Sequence, residues 1–515
     1  MKEGIRWYRG SEPVRRAAER AVSCGEGTVL RDNPRRRLIH LSDEAGGELL
    51  IKQFRVTSGR HPLRERLKVW LGRSPANREW RVLAALHGAG IPVPAPLAFG
   101  VLPSGDRLLV MSFVEGRPFA TVLGESTTAR WDALRCLGAL VTRFHDAGFV
   151  HGDLHGGNLL WTEAGPLLLD VQHAARSRSR RARDRDLGDL DYALWRRASL
   201  ADRVRLRAAA LGVTRPFDAA ARASLRAVGR SARARADRHG RSRTRRSLRS
   251  GRLYAPLRLA EGGGMRLREI PESAVRQALG AHREAVAAGD RRTLKNDERS
   301  RISAVEVAGR RVVVKQVLSR GLGRALADLV RGSAARRAWL GGHGLIARGI
   351  GAARPLAFVE WRRWGLITGS AVLLEDLRPS LNALDAAARG DPEAVLNALA
   401  HLAATLHRRR IDHNDLKSTH IFLEAEDGRL VTRLIDLEGV RFPRRIAPKR
   451  RLLALAQLNA SLPDSFPNGA RCRAFTRYAA EHPFPDGNRR ALERLVAMSI
   501  DRRHRWSGGG IQGSS

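Results

Sequence analysis

Cysteine, lysine, acidic side chains and long apolar runs are all scarce in this chain. Three cysteines, Cys24, Cys136 and Cys472, are spread over 515 residues. So few, in odd number, exclude a disulfide framework and a cysteine-based zinc site and fit a reducing compartment. No apolar run approaches the roughly 18 uncharged residues of a membrane span. The opening MKEGIRWYRGSEPVRR lacks the apolar core of a signal peptide, so a cytoplasmic location is expected. Aromatics make up 5% of the chain, and the ten tryptophans form no recurring array of the kind that stacks bases. Nucleic acid is therefore not an expected partner.

Acidic residues number 52 against 93 basic ones, a net charge of +41. Only seven of the basic residues are lysine, which leaves 93 − 7 = 86 arginines. Coding from a GC-rich genome accounts for arginine replacing lysine but not for the excess of positive charge. By charge alone that excess suits an anionic membrane surface, a phosphorylated glycolipid or nucleic acid, the last ranked low for want of an aromatic array. A lysine kept in so lysine-poor a chain marks a place where an ammonium point charge is needed rather than a guanidinium fork.

Against these absences stands a motif that occurs twice: HGDLHGGNLL, His151 to Leu160, and HNDLKSTHIF, His413 to Phe422. Each puts an Asp two residues after a His and a metal-capable side chain five residues after that Asp, as a phosphoryl-transfer loop requires. The surroundings repeat too. Lys52 in ELLIKQF precedes Asp153 by 101 residues, and Lys315 in VVVKQ precedes Asp415 by 100. VLRDNPRRRL from Val29 answers to TLKNDERSRI from Thr293, and GIPVPAPLAF from Gly90 answers to GIGAARPLAF from Gly349. A repeat of this length means a tandem duplication of one whole domain, not a solenoid. The division expected is a first domain over 1–235, a basic connector over 236–260, a second domain over 261–506 and a disordered tail over 507–515.

Within the first copy, β-like segments lie around Thr28 to Leu30, Arg37 to Leu41 and Leu49 to Phe54. A helix from about Ala76 to His87 puts Trp80, Leu83 and Leu86 on one face. GIPVPAP breaks it, and LLVMSFVEG reads as a buried strand entering a hinge. A helical stretch from Thr128 to Ala147 then leads into the HGDLHGGN loop, and PLLLD ends in Asp170. The fold class is α+β, with two bilobal domains in tandem. Each is a small β-rich lobe followed by a helical lobe, with a cleft between them. LRERLKVWLGR, Leu63 to Arg73, is a basic amphipathic helix that either lies on an anionic membrane or packs on the small lobe.

Phosphoryl transfer asks mainly for positioning and charge neutralisation. In the first copy Lys52 is placed to hold the α- and β-phosphates of ATP and Glu79 to orient that lysine. Asp153 takes the proton of the attacking hydroxyl, while Asn158 and Asp170, oxygen donors suited to a hard cation, hold Mg2+. The second copy offers Lys315, Asp415, His420 and Asp436. The Glu79 position falls on Ala338, so Lys315 has no evident carboxylate partner, and His420 replaces the Asn, which favours Mn2+ over Mg2+. Lys417, two residues after Asp415, can reach a γ-phosphate, where the first copy has His155. Neither lysine is preceded by a Gly-rich phosphate loop. The basic turns Arg35 to Arg37 and Arg299 to Arg301 stand there, either covering phosphates or as solvated hairpin tips. His151 and His413 are expected to brace their loops.

These stretches, with SPANREWRVLAALHGAGIPVPAPLAF in the first half and RGSAARRAWLGGHGLIARGIGAARPLAF and LIDLEGV in the second, resemble the Kdo/WaaP lipopolysaccharide kinase family, a branch of the protein-kinase-like fold. The resemblance covers most of both halves. It implies ATP-dependent phosphorylation of a sugar hydroxyl in lipopolysaccharide core or a related glycolipid at the inner face of the cytoplasmic membrane. DLHGGN is also similar to loops of aminoglycoside phosphotransferases and of the atypical kinases linked to ubiquinone synthesis, so the acceptor stays open. A protein serine/threonine kinase and a non-enzymatic tandem pseudokinase are the alternatives. The second copy reads equally as an active kinase or a pseudokinase.

Overall fold

A computed structural model describes residues 4–55, 74–195, 197–319, 322–426 and 429–507. The helix expected over Leu63 to Arg73 and the tail after residue 507 lie outside the described residues. The chain divides into two compact units, Met1–Asp237 and Arg238–Ser515.

The small lobe of the first unit is one antiparallel sheet of six strands. They are β1 (Arg6–Arg9), β2 (Thr28–Asn33), β3 (Arg36–Ser42), β4 (Glu48–Phe54), β5 (Pro96–Val101) and β6 (Arg107–Ser112), in the order β1-β5-β6-β4-β3-β2. In β4 the alternation of side chains sorts ELLIKQF onto two faces. Leu49 and Ile51 join the apolar cluster of Val14, Ala17, Ala18 and Ala21 on the helix Glu12–Ser23. Leu50 and Phe54 turn the other way, into the cluster that includes Leu83 and Leu86 of the helix Pro75–Gly88. That helix starts where expected because the Ser74 hydroxyl accepts from the Asn77 N–H and Pro75 fills the first turn. Burial of Leu83 and Leu86 contributes about 1.5–3 kcal/mol each.

The helical lobe follows, with the helices Thr127–Asp146, Arg180–Ala193 and Leu200–Leu211. Short strands carry the loop between them: Phe149–Val150 pairs with Ala175–Arg176, and Leu159–Thr162 pairs with Gly165–Leu168.

The second unit repeats the plan with a seven-stranded sheet, in the order Tyr254–Leu259, Gly262–Leu267, Pro355–Arg363, Leu366–Glu375, Arg310–Leu318, Ser300–Val307, Thr293–Asn296. Lys52 sits opposite Leu38 and Leu109 in the first sheet, and Lys315 opposite Ile302 and Val372 in the second. Both lysines thus occupy an interior strand with an apolar neighbour on either side.

The basic stretch expected as a connector over 236–260 is structured instead. The helix Ala219–Arg246 runs through its first part, and Tyr254–Leu259 is the edge strand of the second sheet. The physical reason lies in the few residues it buries: Ser247, Ala255 and Leu257 are buried while most of the arginines around them stay exposed.

Candidate active site

Lys52 shares the face of Leu50 and Phe54, so its ammonium points to the helix side of the sheet and is 7% exposed. Glu79, just over one turn into the helix Pro75–Gly88, is 2% exposed and meets it. Lys52 Nζ donates to Glu79 Oε1 at 2.7 Å and Oε2 at 2.9 Å, and to Asp170 Oδ1 at 3.1 Å. Burial pushes the Glu79 carboxyl up while Lys52 pulls it down. Burial would raise Asp170 as well, but the Lys52 ammonium outweighs it and holds that carboxyl below the usual range. Asp170 itself has left-handed backbone, φ 49° and ψ 55°, and so does Asp436 at φ 55° and ψ 58°. This sparsely populated conformation, tolerated best by Asn and Asp, is repeated at the same step of both copies.

The loop that carries Asp153 is fixed from below. Asp186, on the helix Arg180–Ala193, accepts from the backbone N–H of His151 at 2.5 Å and of Gly152 at 2.8 Å. His151 is fully buried, its Nε2 is 3.3 Å from the Leu169 carbonyl, and burial lowers its pKa. It braces the loop, as expected. Asn158 Nδ2 donates to the Asp153 carbonyl at 3.1 Å, which commits the amide nitrogen to the loop and leaves Oδ1 as a donor for a cation. The Asp153 carboxylate is 38% exposed and faces Arg235 Nη2 at 3.3 Å and His155 Nε2 at 3.7 Å.

In the second unit the helix Ala334–Ala347 starts on a Ser333 cap, as the first begins on Ser74, and the fifth residue after the cap is Ala338 rather than Glu79. The expectation that Lys315 lacks a carboxylate partner is overturned. Lys315 Nζ donates to Asp436 Oδ1 at 2.5 Å and lies 3.5 Å from Glu438 Oε1. Burial opposes the ammonium, but Glu438 and Asp436 outweigh it and hold Lys315 above its ordinary pKa. The helix leaves room for this turn by being small where it touches it. A Cβ on Gly341 would fall 2.2 Å from the Leu437 carbonyl oxygen.

His420 takes the place of Asn158 with the same contact, its Nδ1 lying 3.0 Å from the Asp415 carbonyl. A carbonyl only accepts, so Nδ1 is the donor there and Nε2 is the nitrogen left to face a ligand. Asp415, His420 and Asp436 each present a ligand atom within 4.8 Å of the others. Lys417 Nζ is 3.0 Å from Asp415 Oδ2. His413 is 2% exposed and, like His151, braces its loop, through the Ile435 carbonyl at 3.3 Å.

In the first unit Lys52, Glu79 and Asp170 are in direct contact, and Asp153 and Asn158 share a loop whose Asn158 carbonyl accepts from the Leu169 N–H at 2.9 Å; in the second, Lys315 meets Asp436, Lys417 meets Asp415, and Asp415, His420 and Asp436 come together. Four others were not foreseen: Asp186, Arg235, Glu438 and the specific reach of Arg36. Arg36, in the basic turn, bonds Gln172 and comes within 3.8 Å of Asp170 Oδ1. The DLEG sequence offered a signal for Glu438, a second carboxylate two residues after Asp436.

The lobes, the interior lysine and the braced loop define a tandem pair of protein-kinase-like domains. The chain belongs to the lipopolysaccharide kinase (Kdo/WaaP) family, whose model matches residues 23–209 and 306–478. It is 29% identical over 153 residues to a 3-deoxy-D-manno-octulosonic acid kinase of Xylella fastidiosa, covering 28% of this chain and 60% of that protein. It is also 29% identical over 161 residues to the serine/threonine-protein kinase rio1 of Dictyostelium discoideum, covering 30% of this chain and 25% of that protein. The match therefore spans less than two thirds of either relative. Among solved structures, WaaP in complex with acyl carrier protein matches with 21% identity and a TM-score of 0.31, over 43% of this chain and 91% of that one.

Proposed function

We propose that the protein is an ATP-dependent phosphotransferase whose acceptor is a sugar hydroxyl of lipopolysaccharide core or a related glycolipid. The observation that carries the reading is the buried Lys52, held by Glu79 and Asp170 together within one cleft. In this reading Lys52 holds the α- and β-phosphates of ATP and Glu79 orients it. The acceptor oxygen bonds to the γ-phosphorus, the bond from that phosphorus to the ADP oxygen breaks, and the acceptor proton goes to the Asp153 carboxylate. Asn158 Oδ1 and Asp170, an all-oxygen set, fit Mg2+, which when bound neutralises phosphate charge.

The second unit is read as a nucleotide site built from Lys315 and Lys417, with Asp415 as its base. Its metal ligands are His420 and Asp436, and their mixed nitrogen and oxygen donors favour Mn2+. The 3-deoxy-D-manno-octulosonic acid kinase among the relatives supports a glycolipid acceptor. The serine/threonine kinase among them keeps a protein acceptor as the second reading. Among the described residues no helix is long and apolar enough to cross a membrane. A net charge of +41 supports peripheral attachment to the anionic inner face of the cytoplasmic membrane.

The test is transfer of label from γ-labelled ATP to an inner-core lipopolysaccharide extract, with Asp153→Ala and Asp415→Ala chains alongside. Label in glycolipid that disappears with Asp153→Ala is the expected result. Label in protein alone moves the assignment to a protein kinase, and label in neither sinks both.

A further inference from the structure

Each candidate base is accompanied by one cation, and the two cations come from different parts of the chain. In the second unit it is Lys417, from the loop itself, 3.0 Å from Asp415 Oδ2. The first unit has His155 at that step of the loop. Its Nδ1 accepts the Gly157 N–H at 3.1 Å and its Nε2 lies 3.7 Å from Asp153 Oδ2, so an imidazole tied to its own loop stands where the second unit has an ammonium. The charge arrives instead from Arg235, far along the sequence, with Nη2 3.3 Å from Asp153 Oδ1 and Nη1 3.6 Å from Asp189 Oδ2.

The chain has made room for this arginine. Arg235 continues the inward stripe Leu225, Val228, Ala232 by a further three residues on the helix Ala219–Arg246. Gly188 lets that helix approach the one that holds Asp186 and Asp189, since a Cβ there would meet Ser231 Cβ at 2.6 Å and the Ala232 nitrogen at 2.8 Å. The guanidinium remains 37% exposed, so solvent or a substrate oxygen can reach it. A guanidinium has five N–H groups, and two ion pairs leave donors over for a third anion.

We propose that Arg235 is the first unit's γ-phosphate cation, doing from a distant helix what Lys417 does from within the loop of the second unit. The inference rests on the phosphotransferase reading. A carboxylate that must approach the transferred phosphoryl group repels it, and a cation shared between the two removes that repulsion as negative charge builds on the equatorial oxygens. The bonds made and broken are those already given, and Arg235 neither gains nor loses a proton.

The test uses the full chain carrying Lys315→Ala, so that nucleotide binding reports the first unit. Dissociation constants for ATP and for ADP, each with Mg2+, and the turnover number are compared for Arg235→Ala, Arg235→Lys and the double variant His155→Lys/Arg235→Ala. Arg235→Ala is expected to erase the preference for ATP over ADP and to lower turnover by about 10²-fold, the scale of losing one charge-stabilising donor. Arg235→Lys retains part of both. Transplanting the second unit's lysine by His155→Lys restores the preference and most of the turnover. Two results overturn the proposal: an unchanged preference in a folded Arg235→Ala chain, or a loss that His155→Lys does not repair, which makes Arg235 a brace between helix and loop. A parent chain that binds no ATP removes the phosphotransferase reading along with it, whereas a parent that binds and turns over while Arg235→Ala matches it removes this inference alone.

Discussion

Lys52 is held by one buried carboxylate and by one that is partly exposed. Glu79 is buried on its helix, whereas Asp170 stands half open to the cleft. Truncating one member of a buried pair strands the other, at about 3–5 kcal/mol. Glu79→Ala should therefore lower the first unit's melting temperature and slow phosphoryl transfer by at least about tenfold, because a misplaced lysine no longer fixes the phosphates. Initial rates and a thermal melt of the same preparation check both. Gly341 makes the complementary case in the second unit. Gly341→Ala inserts a methyl 2.2 Å from the Leu437 carbonyl oxygen. An overpacking cost of about 1–3 kcal/mol is expected. The turn that carries Asp436 and Glu438 shifts with it. Mn2+-supported nucleotide binding, measured in a chain that also carries Lys52→Ala so that it reports the second unit, should fall, and calorimetric titration would show an unchanged constant if the turn does not depend on that glycine.

At the scale of elements, the loop bearing Asp153 is only as rigid as its attachment to the helix Arg180–Ala193. Asp186→Asn keeps the volume but has one oxygen where two were used by the His151 and Gly152 N–H groups. Hydrogen exchange of a peptide spanning 149–155 should quicken, with activity falling in step. Protection equal to the parent's would assign the loop's order to its strands instead. Elements whose signals are local were legible in the sequence. The helices near 76–87 and 128–147 announced themselves by apolar spacing, and their observed bounds, Pro75–Gly88 and Thr127–Asp146, begin on serine caps. Residues whose partners are chosen by packing were not legible. Nothing near Asp186 says that its helix passes under the loop, and Arg235 lies 82 residues from Asp153. The arginine-rich stretch after residue 236 reads as connector because arginines dominate it and the residues it buries, Ser247, Ala255 and Leu257, are few and widely spaced. Glu438 is illegible for a subtler reason: the repeat predicts a partner for Lys315 at the helix position of Glu79, whereas the chain supplies it from the turn that bears Asp436.

Across the whole molecule, charge and burial set the conditions under which the halves work. His343, against Trp339, and His407, bonded to Tyr478, both lie in the second unit, and burial lowers each to about 3. The unfolded chain binds these protons at an ordinary value near 6.5, so between about 6.5 and 3 it holds more protons than the folded unit. The second unit should lose stability as pH falls through that window, by up to about 1.4 kcal/mol per pH unit for each histidine. Melting curves at stepped pH check this, and His407→Gln should flatten the dependence. The excess of arginine gives another handle. Binding to anionic vesicles should weaken strongly as salt rises from about 50 to about 500 mM, because screening shortens the reach of exposed charge.

The two lysines also differ in what can switch them. Lys52 takes its closest carboxylate from a separate helix, so an outward displacement of the helix Pro75–Gly88 would break the pair. Lys315 takes Glu438 from the turn that already bears Asp436, and the facing helix Ala334–Ala347 carries no acidic residue to withdraw. The same displacement of the facing helix would leave Lys315 with both of its carboxylates, because both come from one turn.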